Sequence, residues 1–61
     1  MTEQEFQEHL KRLRNFYQQL HLTVLYEDDF ITQLGSRRNL FEYRDNILDN
    51  INIERNALGY I

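Results

Sequence analysis

Phe6, Leu10, Leu13, Tyr17, Leu20 and Val24 recur every three or four residues along the first third of the chain. On a helix turning 100° per residue, all six fall within about 60° of one direction. Thr23–Tyr26 is β-branched and aromatic, yet no second strand-like run exists for it to pair with, and a lone strand is not stable. The chain therefore reads as all-α. It has no Pro, two Gly and no low-complexity stretch, which leaves room for one helical domain over 1–61 without linkers.

Local signals place the helix ends. Thr2 followed by Glu5 forms a capping box. Acids (Glu3, Glu5, Glu8) lead and bases (Lys11, Arg12, Arg14) follow, as the helix dipole favours. Leu22 lies about 160° from the apolar stripe, so the first helix is expected over about 2–22. Glu27–Asp29 suit a helix start, Phe30, Ile31 and Leu34 keep helical spacing, and Gly35 is a C-terminal stop, which predicts a short helix over about 26–34. Ser36 caps a third segment over about 36–58, whose Leu40, Phe41, Ile47, Leu48, Ile51 and Leu58 share a face. Five Asn residues weaken that helix intrinsically, so it depends on packing. Short connections then give a small three-helix bundle, or a helical hairpin with a short middle helix.

Size constrains what can hold such a fold together. A compact chain of 7.5 kDa exposes about 4,200 Å², against about 10,900 Å² unfolded. The apolar part of that burial and the entropy of ordering the chain are each on the order of 90 kcal/mol, so they nearly cancel. With no Cys, disulfides and thiolate zinc sites are excluded. What remains is good helix packing, self-association or a stabilising partner. The longest apolar run, Val24-Leu25-Tyr26, is far short of a membrane span, and the acidic Met1–Glu5 start is unlike a secretory signal. A cytoplasmic location is expected. Abundant Asn, Gln, Ile and Tyr fit the output of an AT-rich bacterial or phage genome.

Three constellations stand out. With Leu40 as the zero direction, Arg44 lies near 40° and Arg55 near 60°, inside the apolar stripe of the third helix. A guanidinium so placed must snorkel out, find a carboxylate such as Glu27, Asp28 or Asp29, or meet a partner. On the far side, Glu42, Asp45 and Asp49 form an acidic strip between about 140° and 200°, next to Ile53 and Tyr60, which cannot share the core of Leu58. Acids beside exposed apolar groups suit a docking surface for another protein, with Ile53, Tyr60 or Tyr43 as anchors. Arg37 and Arg38, at a helix start, make an anion or nucleic-acid contact conceivable.

Catalytic signals are sparse. His9 and His21 are separated by about 18 Å along one helix and cannot share a metal within one chain. Asp45–Asn50 lacks the Gly of a calcium loop. Ser36, the one Ser, has no base or oxyanion hole in evidence. No enzyme activity, cofactor or metal is expected. A net charge of -3 and the acidic strip oppose DNA, although the second helix, Gly35 and the third resemble a helix-turn-helix in outline. The expected function is that of a regulator, inhibitor or adaptor that docks on another protein through a helix face. A homo-oligomeric structural protein is the alternative, with a small DNA-binding regulator behind it.

Overall fold

The computed structural model describes residues 1–59, which form three helices: α1 (Glu3–Leu25), α2 (Glu27–Leu34) and α3 (Arg37–Ala57). Both N-cap hydroxyls accept as the sequence predicts, and of the capping box at Thr2 the forward bond is the half that forms. Thr2 Oγ1 accepts from Glu5 N (3.1 Å) and Ser36 Oγ accepts from Asn39 N (3.1 Å). Gly35 ends α2 with φ 96°, a left-handed conformation that costs a side-chain-bearing residue roughly 1 kcal/mol. The difference is at the end of α1, which runs on past Leu22 to Leu25. Thr23 is the reason. It is fully buried, its hydroxyl bonds the Leu20 carbonyl (2.6 Å), and both its oxygens accept from Arg44 of α3. A tertiary partner holds the extra turn in place.

α1 and α3 lie antiparallel along most of their length. His9 meets Glu54 near one end of the pair and Thr23 meets Arg44 near the other. Between these anchors the seam follows alternating three- and four-residue steps, the heptad pattern of two supercoiled helices. From α1 it takes Phe6, His9, Leu13, Phe16, Leu20 and Thr23; from α3, Leu40, Arg44, Ile47, Ile51, Glu54 and Leu58. All twelve are buried or partly buried. This seam corrects the sequence-based stripe. Phe16 and Thr23 point inward in place of Tyr17 and Val24, which are 46% and 62% exposed. On α3, Phe41 and Leu48 are likewise 50% and 43% exposed, and Arg55 is on the surface instead of in the seam.

The short α2 folds back at the closed end of this hairpin. Phe30 packs on Tyr43 with ring centroids 5.7 Å apart, and Glu27 pairs with Arg37 (3.2 Å). These contacts cover one flank of the hairpin over a fraction of its length.

The molecule is correspondingly elongated, 41 × 16 × 14 Å. Its Cα radius of gyration, 13.6 Å, exceeds the roughly 10.5 Å of a compact chain of this length. Its surface, 4812 Å², exceeds the compact value of about 4,200 Å². Among the described residues only Leu40, Ile47 and Ile51 are buried apolar side chains. A core one seam thick is all that the hairpin encloses.

Replacing Gly35 by Ala is expected to destabilise the protein by roughly 1 kcal/mol, because the left-handed backbone is strained for any Cβ. Thermal unfolding followed by circular dichroism would show a midpoint lower by about 4–8 °C.

Candidate protein-interaction surface

Two polar layers interrupt the apolar seam. At the open end, the Glu54 carboxylate is buried and receives Arg12 Nε at 2.9 Å and His9 Nδ1 at hydrogen-bond distance. Arg12 Nη2 also lies 2.9 Å from His9 Nδ1, but that nitrogen can serve one role only. Facing an ionised carboxylate, it donates to Glu54. The His9 hydrogen bond, helped by the Arg12 guanidinium, outweighs the opposing effect of burial and holds the Glu54 carboxyl below its ordinary value of 4.5.

At the closed end, Arg44 Nε donates to Thr23 Oγ1 (3.0 Å) and Nη2 donates to the Thr23 carbonyl (2.8 Å). That carbonyl belongs to the last turn of α1, where four C=O groups lack intrahelical donors and where α1 itself carries no base. Arg44 thus caps α1 from the neighbouring helix and supplies the positive charge its dipole favours. Glu27 Oε1 lies 3.7 Å from the same guanidinium and 3.2 Å from Arg37, tying the start of α2 into the layer.

With the seam occupied, the flanks can be assigned. Heptad geometry puts the residue after each inward d position on one side of the hairpin, and in an antiparallel pair these rows from the two helices lie together. The row on α1 is Leu10, Tyr17 and Val24; on α3 it is Phe41, Leu48 and Arg55. Antiparallel register sets Val24 beside Phe41, Tyr17 beside Leu48 and Leu10 beside Arg55. Tyr43 lies on the opposite flank, the one α2 covers. The result is an apolar strip, flanked on α3 by Glu42, Asp45 and Asp49, that no other part of the described chain covers.

The residues singled out from sequence fall into four groups. Arg44 points inward as its phase predicted but is engaged by Thr23 and Glu27, and Tyr43 is engaged by Phe30. Glu42, Asp45, Asp49, Ile53 and Arg55 are exposed, with Ile53 at 62% standing apart from the apolar strip. Tyr60 lies outside the described residues. Arg37 pairs with Glu27 and Arg38 approaches Glu42 (3.8 Å), so each base at the start of α3 has a carboxylate near it. Sequence reasoning missed Glu54 and assigned Tyr17, Val24, Phe41 and Leu48 to the core. The signal for both was the alternative heptad through His9, Phe16 and Thr23. Among the described residues, no three His, Cys, Asp or Glu side chains converge as a metal site, and no helix is long and apolar enough to cross a membrane.

Arg44→Met keeps an apolar stem in the seam but removes both bonds to Thr23, leaving a carbonyl of the α1 terminus without its donor. The expected cost is about 2 kcal/mol, read as a lower urea midpoint. Glu54 sets a pH dependence of known sign. A carboxyl whose native pKa is depressed stabilises the fold fully above its unfolded value, here near 4.5, and that contribution is lost as pH falls through the native value. Glu54→Gln is therefore expected to be less stable than the parent at pH 7, with the gap narrowing between pH 5 and pH 3 in paired denaturant titrations.

The chain matches no protein-family model, no curated protein and no solved structure, and its surfaces carry the functional reading by themselves.

Proposed function

We propose that this protein is a non-enzymatic interaction module, a regulator or adaptor that docks on another polypeptide through the open flank of the α1–α3 hairpin. The observation that carries this reading is the strip of Tyr17, Val24, Phe41 and Leu48, four large apolar side chains each at least 43% exposed. Single exposed apolar residues are ordinary, but a contiguous row along two helices is the composition of a binding surface. Its acidic edge (Glu42, Asp45, Asp49) and the exposed Arg55 would set orientation and encounter rate, with the aromatic pair as anchors. Arg44 and Tyr43 serve the fold beneath and behind this strip. The nucleic-acid alternative gains no support, since Arg37 and Arg38 face carboxylates and the exposed side of α3 would set acids against phosphates.

A photo-crosslinking residue placed at Leu48 in the expressed protein tests the reading. A discrete protein adduct is expected there, and none from the same probe at Gln33, on the exposed surface of α2. Equal, diffuse labelling at both positions would remove the open flank as a docking site.

A further inference from the structure

We infer that the occupant of the open flank is a second copy of this chain, related by a two-fold axis parallel to the helices, so that two hairpins close into a four-helix bundle. This rests on the interaction-module reading above and names the partner within it.

The heptad pattern of both long helices is wider than a hairpin requires. A helix for a two-stranded seam needs apolar groups at a and d alone, whereas a bundle helix adds e for a wider stripe. Both long helices carry the wider one. In α1 the a residues Phe6, Leu13 and Leu20 are shared between two rows: the d row facing α3, and the e row with Tyr17 and Val24 left outside. In α3, Phe41 and Leu48 are the equivalent e residues. Each helix thus has a second apolar edge at the angle a bundle neighbour would occupy.

The open flank is a long side of a 41 × 16 Å body, an outline of about 650 Å² (41 × 16), which is room for a contact on the order of the ~800 Å² of accessible surface each partner buries in a standard stable interface. The surface in excess of a compact monomer, 4812 Å² against about 4,200 Å², is of similar size.

Charge and polarity choose the axis. With the two-fold parallel to the helices, α1 of one copy lies antiparallel on α3 of the other, level with level. Val24 then meets the partner's Phe41 and Tyr17 meets the partner's Leu48. The apolar ends close together, while Arg55 stays near the open end, beside solvent. The outer edge of α1 carries Arg14, with Lys11 behind it, and it falls against the outer edge of α3, which carries Asp45 with Asp49 behind it, while Arg38 on that edge is drawn to Glu42. An axis across the helices would instead stack α3 on α3, bringing two acidic edges together and setting Arg55 on the partner's Phe41. The parallel axis places basic against acidic edge twice over.

The chain has no Cys, so single-Cys variants report the arrangement directly. Mild oxidation of a mixture of Tyr17→Cys and Leu48→Cys chains is expected to yield the mixed disulfide in preference to either homodisulfide. Sedimentation equilibrium from micromolar to millimolar should show a monomer–dimer exchange, and Leu48→Glu should weaken it about a hundredfold, as loss of a central anchor does. Circular dichroism of that variant at low concentration should still show the helices, because the residue is outside the seam. A monomer at every concentration, a dimer indifferent to Leu48→Glu, or homodisulfides of Tyr17→Cys would each overturn the proposal. A monomer whose Leu48 probe still captures another protein would overturn the second copy while leaving the interaction module standing.

Discussion

Charged groups inside the α1–α3 seam hold this fold in one register. Glu54 is buried between His9 and Arg12, and Arg44 reaches across to both oxygens of Thr23. An apolar seam alone tolerates sliding by a heptad, since one layer of Leu and Ile resembles the next. A shift here would strand a carboxylate at one end and a guanidinium at the other, each partly desolvated and without its partner. Stability itself is not the main gain from such layers, because apolar replacements often pack as well. Their effect is uniqueness: one antiparallel alignment, and with it one set of residues left on each flank.

That alignment also determines how little the molecule encloses. A hairpin has two flanks, and α2 covers part of one by packing Phe30 on Tyr43. The other carries Tyr17, Val24, Phe41 and Leu48 in the open. The near-cancellation of burial and ordering free energy in a chain of this size is thus left unresolved by the monomer's own core. Elongation and surface excess express the same shortfall in shape. Docking through the open flank would add the missing layer.

Polar side chains have distinct duties in this arrangement. Arg44 serves as a helix cap as much as a charge, because α1 has no base in its last turn. Glu27 joins the two connections through Arg37 and Arg44. Glu42, Asp45 and Asp49 make no such link to another helix and edge the open strip instead. The Asn-rich character of α3 is compatible with this division, since packing against α1, rather than propensity, keeps the helix formed.

The ends of α2 and the starts of α1 and α3 were readable in the chain because their causes are local. Thr2 and Ser36 bond backbone N–H groups three residues on, and Gly35 alone there adopts a positive φ at low cost. The inward direction of Arg44 was also readable, since it follows from position on a helix. The phase of α1 was not. Phe6, Leu13 and Leu20 belong equally to a stripe with Tyr17 and Val24 and to one with His9, Phe16 and Thr23, and the first is the more apolar. Which stripe turns inward depends on Glu54 and Arg44, some twenty to forty-five residues away, offering partners to Thr23 and His9. Helical periodicity is a property of neighbours along the chain. The choice between two overlapping faces is a property of what each face meets, and that existed only once α3 had folded back against α1.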